Sequence, residues 1–260
     1  MAQALFEIRN LTYTRNKRKV LSVSNFEIHR GIIYAIAGPP GSGKTAFLDI
    51  LAGVRKMDSG TLTYEGEEGT SMEVKRRFRE EVYYLPQEQK RGRGEVKKYM
   101  LRNIRSTSWS NETGEQRLER IVKQMNLAER LTRNLKTLSP GERRWVELAI
   151  ALASDTRVLI VDELEQHLGY DDLELIKRMI QRKGNAEGTT IIISTLTPMT
   201  IRRMTGVSVT LDRGRIAMIR SIREGARPRR SDGRSRGNGK RRGGGRGRSS
   251  RSSESANGKD

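Results

Sequence analysis

The chain has 260 residues, no cysteine and two histidines, which excludes disulfides, thiolate metal sites, a cysteine nucleophile and a histidine-rich metal centre. Its formal net charge is +20 with 34% hydrophobic residues, and counting the 26 glycines brings the composition close to that of an ordinary folded domain. No run approaches the roughly eighteen apolar residues of a membrane span, and no long apolar signal segment opens the chain. A cytoplasmic protein is expected, whose membrane role would need a separate membrane partner.

In chain order, Phe6, Ile8 and Leu11 to Tyr13 read as strand. Val20 to Val23 with Phe26 to Ile28 read as a second pair before the Arg30-Gly31 turn. Together they form an antiparallel edge in front of the next element. That element is the apolar run Ile32 to Ala37, followed by Gly38-Pro39-Pro40-Gly41-Ser42-Gly43-Lys44-Thr45 and the helical pattern Ala46 to Leu51. Strand, turn and helix in this order match the phosphate loop G-x-x-x-x-G-K-[ST] at every specified position. Gly38, Gly41 and Gly43 let the loop that runs from Gly38 through Pro39 to Ala46 close its backbone N–H groups on phosphate, Lys44 supplies a point charge, and Thr45 offers a hydroxyl to Mg²⁺.

Ser59 to Gly66 reads as turn, strand, turn, and Val82 to Leu85 as a short strand ending at Pro86-Gln87. A polar helical region is expected from about Glu95 to Leu135, with Leu118, Ile121, Val122 and Met125 at helix-face spacing. Ser139 with Glu142 three residues on forms a capping box that opens a helix expected over Arg143 to Ala153. Val158 to Val161 is a buried-strand run that delivers the carboxylates of Asp162 and Glu163. After a phosphate loop, such a pair suits orientation of a Mg²⁺ shell by the first and polarisation of attacking water by the second.

Leu85-Pro86-Gln87-Glu88, Leu138-Ser139-Pro140-Gly141-Glu142, the strand ending in Asp162-Glu163 and Ile191-Ile192-Ile193-Ser194-Thr195 follow the phosphate loop in the order seen in ABC-type ATPases. From Leu5 to Arg220 the chain resembles the ATP-binding subunit of that family, down to a closing strand pair over Val207 to Ile216. The resemblance implies an α/β P-loop NTPase fold of ABC type: a RecA-like core, an antiparallel β layer and an inserted helical subdomain at about 88–152, all within residues 1–220. It implies ATP and Mg²⁺ as cofactors, with Thr45, Gln87 and Asp162 around the metal and Glu163 and Gln87 in catalysis. It also implies a composite site, in which Ser139 and Gly141 of one subunit offer a hydroxyl, a backbone N–H and a helix N-terminus to the partner's γ-phosphate. Tyr13 is the expected adenine-stacking aromatic, with Arg15 the other position considered.

Several residues depart from the family pattern. Ala46 stands where a second hydroxyl is usual, Pro140 replaces a signature glycine, Trp145 an arginine, and Gly169 the aspartate of the subunit-contact loop spanning 164–169. Leu196 stands at the switch histidine. ATP binding is expected to survive and turnover to be slow. His167 and His29 read as solvated loop residues.

The last forty residues are a different material. Residues 221–260 hold thirteen Lys/Arg against four Asp/Glu, a balance of +9 that leaves +11 for the first 220. Beyond Ile222 there is no aromatic or branched aliphatic residue, so a disordered Arg/Gly/Ser-rich tail is expected. It suits non-specific RNA or anionic-surface contact, and equally a solubilising role. A second basic stretch, Lys90 to Arg105, suits a solvated face and equally a contact with an acidic partner surface, anionic lipid headgroups or RNA. Two functional classes follow: the ATPase subunit of an ABC transporter, as a homodimer or heterodimer with another ABC ATPase on a membrane permease, or a soluble ABC ATPase acting on ribosome, RNA or an assembly machine.

Overall fold

The computed structural model describes residues 4–68, 72–88, 92–107, 111–196, 204 and 206–222. The chain divides into two units, Met1–Ala226 and Arg227–Asp260, and the basic tail lies outside the described residues apart from its first two positions.

Two sheets form the frame. The four-stranded antiparallel sheet holds β1 (Phe6–Arg15), β2 (Arg18–Ile28), β4 (Ser59–Tyr64) and β5 (Glu67–Glu68) in the order β2-β1-β4-β5. The six-stranded sheet adds β3 (Ile33–Ala37), β6 (Val82–Leu85), β7 (Val158–Val161), β8 (Thr190–Thr195), β9 (Gly206–Asp212) and β10 (Arg215–Ile222) in the order β10-β9-β3-β8-β7-β6. β6, β7, β8, β3 and β9 are parallel, and β10 turns back antiparallel on β9. Every residue of β3 and β7 is buried, as expected of parallel strands covered on both faces. β2 is one continuous strand rather than two pieces: it pairs with β1 from Arg18 through to Ile28, and its buried positions change parity between Val23 and Phe26, opposite the same change between Ile8 and Leu11 in β1.

The helices are α1 (Lys44–Leu51), α2 (Met72–Glu81), α3 (Val96–Asn103), α4 (Gly114–Gln124), α5 (Pro140–Ala153) and α6 (Tyr170–Glu187). α1 and the aromatic residues Phe6, Phe26, Phe47 and Tyr64 fill the space between the sheets. A second core joins the other face of the six-stranded sheet to α3, α4, α5 and α6. The expected helical region over 95–135 is therefore split: α3 ends at Asn103, α4 starts from its own capping box at Thr113 and Gln116, and two short 3₁₀ turns at Ala128–Arg130 and Leu135–Thr137 lead to α5. α5 begins three residues earlier than the sequence suggests, because Pro140 occupies its first turn and the reciprocal Ser139–Glu142 box closes around it.

Two helices go beyond the sequence expectations. α2 is polar on most sides, and its signal is the pair Val74 and Phe78 four residues apart; Phe78 meets Tyr64 edge-on at 5.2 Å. α6 carries Leu173, Ile176 and Ile180 at helical spacing and ends at Gly188 in the left-handed conformation.

Candidate active site

The parallel strands bring four segments to one edge of the sheet. Pairing of Ala37 with Thr195, Val161 with Ile193 and Leu85 with Val161 places the ends of β3, β8, β7 and β6 side by side. The phosphate loop leaves β3, Asp162 and Glu163 leave β7, Gln87 follows β6, and Ser194 to Leu196 end β8. Clefts beyond the carboxyl ends of parallel strands are where such sheets bind ligands.

The loop is built for close approach. Gly43 sits at φ 102°, a conformation L side chains avoid, and a Cβ at Gly38 would run into the carbonyl oxygen of Leu211 on β9. The β9–β10 turn props the loop from below: the Gly214 N–H donates to Ser42 O at 2.9 Å and the Ser22 N–H to Gly214 O at 2.8 Å. The first intrahelical bond of α1 runs from the Phe47 N–H to Gly43 O, so the N–H groups of Lys44, Thr45 and Ala46 lie in the unpaired first turn.

Pro39, Gly41 and Thr45 are exposed and Ala46 is half-buried. Lys44 is 5% exposed and its Nζ donates to Gly38 O at 2.7 Å and Pro39 O at 3.0 Å. Burial pulls its ammonium below the ordinary value, while the charges of Glu163, Asp162 and Glu165 hold it up. The Ser42 hydroxyl is buried with no hydrogen-bond partner among the described residues.

Opposite stands the carboxylate pair. Asp162 is fully buried; its Oδ1 accepts from the Ser194 hydroxyl, while Oδ2 has no partner among the described residues. Glu163 has φ 47°, and its N–H donates to Ser194 Oγ at 2.7 Å. Its carboxylate accepts from Gln87 Nε2 at 2.8 Å. Burial raises its pKa above the carboxylate range, Asp162 raises it further, and Lys44 draws it back. An orphaned buried carboxylate oxygen beside a lysine-bearing anion loop fits a divalent cation, with Asp162, Thr45 and Gln87 as the oxygen donors at hand.

Ser139 and Gly141 stand apart at the start of α5. The Ser139 hydroxyl accepts from the Glu142 N–H at 3.2 Å and Glu142 accepts from the Ser139 N–H at 3.0 Å. That backbone donor, joined by Arg133 at 2.6 Å, lowers the Glu142 pKa. A Cβ at Gly141 would come 3.1 Å from the His167 carbonyl, which seats the start of α5 against the 164–169 loop.

The structure places Tyr13 away from a stacking role. A bulge at Asn10 shifts the alternation of β1, so that Leu11 and Tyr13 follow Phe6 and Ile8 into the core. Tyr13 is 9% exposed, its hydroxyl accepts from Arg55 at 2.6 Å, and the same guanidinium covers its ring at 5.1 Å. Arg15 is exposed.

Arg144 is a site residue that sequence reading misses. It is 2% exposed and donates to Pro86 O at 3.0 Å, Asp162 O at 2.6 Å and Glu163 O at 3.1 Å, joining α5 to the segment before Gln87 and to the carboxylate pair. Its signal is a charge on the apolar face of α5. Its neighbour Trp145 is a core residue whose indole N–H donates to Met125 O at 3.0 Å.

Fold and site together define a P-loop nucleotide-binding protein. The ABC transporter family model matches residues 21–165, more than half of the sequence, and the chain belongs to that family. It is 31% identical over 182 residues to an uncharacterized ABC transporter ATP-binding protein of Rhizobium meliloti, covering 68% of this chain and 67% of that protein. It is 25% identical over 224 residues to the spermidine/putrescine import ATP-binding protein PotA of Haemophilus influenzae, covering 85% of this chain and 59% of that protein. The chain thus spans about two thirds of the first relative and less of the second. In fold it is similar to a dimeric ATP-binding cassette in a post-hydrolysis state bound to ADP and Pi, with a TM-score of 0.71 at 20% identity over 84% of this chain and 99% of that one.

Proposed function

We propose that the chain is the ATP-binding subunit of an ABC transporter, binding and slowly hydrolysing ATP with Mg²⁺ as half of a dimer that drives a separate membrane subunit. The observation that carries the reading is the facing arrangement of Lys44 and Ser42 on the phosphate loop with Asp162, Glu163 and Gln87 at the neighbouring strand ends. Lys44 exchanges two loop carbonyls for phosphate oxygens, and the unpaired N–H groups at the start of α1 take the remaining charge. Asp162, Thr45 and Gln87 would hold the cation, which when bound would neutralise phosphate charge. Glu163, held by Gln87, orients the attacking water and receives its proton. Ser139 and Gly141 close over the partner's nucleotide, a step that needs either a second copy or another ABC ATPase.

Turnover is slow in this reading because Leu196 offers no polar atom to the γ-phosphate, and removal of one preorganised donor typically costs about 10²–10³ in rate. Among the described residues no helix is long and apolar enough to cross a membrane, which accords with a peripheral subunit carried by a permease. The domain boundary at 220, the helical subdomain at about 88–152 and the basic tail belong to the same proposal. The test is ATP affinity and hydrolysis by the purified chain, alone and with co-purifying membrane protein. Tight ATP binding lost in Lys44→Ala and slow turnover lost in Glu163→Gln support it, while turnover indifferent to Glu163 overturns the catalytic assignment.

A further inference from the structure

Leu196 ends the described part of the switch strand with its side chain 41% exposed and no polar atom on it, so the order of that segment has to come from its backbone. The backbone is laced to the chain after β7, residue by residue. Ser194 is held three ways: its hydroxyl donates to Asp162, the Glu163 N–H donates to that hydroxyl, and the Leu164 N–H donates to Ser194 O at 3.1 Å. The next two residues are held by one side chain. Glu165 Oε1 accepts from Thr195 Oγ1 at 2.9 Å and from the Leu196 N–H at 2.7 Å.

We propose that Glu165 is the positioning residue of the switch in this chain, its carboxylate clamping Thr195 and Leu196 in place where the imidazole of the family pattern is absent. This deepens the ATPase reading and rests on it. Two features argue for a task beyond packing. Glu165 Oε2 is buried with no partner among the described residues, a costly placement that a smaller neutral residue would avoid. In addition, the residue lies in the 164–169 stretch whose next turn seats the start of α5, through the close approach of His167 O to Gly141. A partner subunit pressing on that stretch would move the Leu196 backbone through this carboxylate. Glu165 touches neither phosphate nor water in this scheme; it acts through Leu196.

The test compares the full chain with Glu165→Ala and Glu165→Gln, reading kcat, ATP affinity and hydrogen exchange at the Leu196 amide. Glu165→Ala is expected to speed Leu196 exchange about tenfold or more. It should also lower kcat about 10- to 100-fold with ATP affinity held within about twofold. Glu165→Gln keeps one carbonyl acceptor for both donors and should recover most of both losses. Unchanged Leu196 exchange in Glu165→Ala overturns the clamp. So does a parallel fall in kcat, ATP affinity and melting temperature, which would mark Glu165 as structural only. If the wild-type chain binds ATP without turning it over, the hydrolysis reading fails on its own. The Leu196 amide then decides the clamp: protection lost in Glu165→Ala supports it, and protection retained overturns it.

Discussion

The side-chain amide of Gln87 donates to the carboxylate of Glu163 at 2.8 Å across the ends of β6 and β7. One residue follows the edge strand leading toward α3 and the other is the proposed base, so a movement of the first is felt directly at the second. Gln87→Ala removes the donor and leaves the raised carboxylate of Glu163 unrestrained. Turnover should fall about tenfold or more while ATP affinity falls less, because Asp162 and Thr45 remain to hold the cation and the lost contact to Glu163 acts in the chemical step. Steady-state kinetics beside equilibrium nucleotide titration checks the split.

Lys44 carries the opposite signature. Its ammonium already holds two loop carbonyls at 2.7 and 3.0 Å, so nucleotide replaces existing bonds with stronger, charge-assisted ones. Lys44→Ala should weaken ATP binding by about 1.5–3 kcal/mol, roughly 10- to 150-fold in Kd. Isothermal titration with ATP and Mg²⁺ measures it, and an unchanged Kd would remove the loop from the site.

Leu196→His tests the reason given for slow turnover. The Leu196 N–H stays on Glu165 whatever the side chain, so a histidine enters a segment already held in place. Turnover should rise, by about 10²-fold if the imidazole reaches the γ-phosphate as one preorganised donor. A rate no higher than that of the wild type would place the limiting step elsewhere.

Most of this site can be read from the chain because the chemistry is local. The phosphate loop, the Asp162-Glu163 pair and the Ser139–Glu142 box each occupy a few consecutive residues whose side chains act on nearby backbone or on a ligand. What escapes sequence reading is what depends on parity and on distant packing. The bulge at Asn10 sends Tyr13 into the core under Arg55, which no strand pattern specifies. Arg144 becomes a site residue only because α5 lies against both Pro86 and Asp162, partners 58 and 18 positions away. Glu165 likewise needs the β7–β8 pairing to bring Leu196 within reach, 31 positions on.

Arg144 should be costly to remove. Truncation to alanine opens a cavity and strips donors from three carbonyls at the centre of the site. An unfolding free energy lower by about 3 kcal/mol or more is expected, since each buried acceptor left unpaired costs roughly 1–3 kcal/mol. Arg144→Lys, with a point charge in place of a planar fork, should recover only part of it. Urea titration at fixed pH compares the three proteins.

Tyr83 sets a limit at alkaline pH. It is 7% exposed on β6, and burial pushes its phenol from the ordinary value of 10.0 up to about 12, although Arg105 over its ring at 4.8 Å opposes the rise. Between those two values the unfolded chain gives up the proton and the folded chain keeps it, so the folded state binds more protons and stability falls as pH rises. Two units correspond to about 2–3 kcal/mol lost across the window, with the full stability present below pH 10. Tyr64 and Tyr84 are raised mainly by burial as well, and each donates to a carboxylate, Tyr64 to Glu81 at 2.6 Å and Tyr84 to Asp49 at 2.7 Å. Tyr83→Phe should therefore make the alkaline loss shallower without abolishing it. Unfolding free energies at pH 8, 10 and 11 measure the slope, and a slope identical to the wild type's would mean that the Tyr83 phenol is not held protonated by the fold.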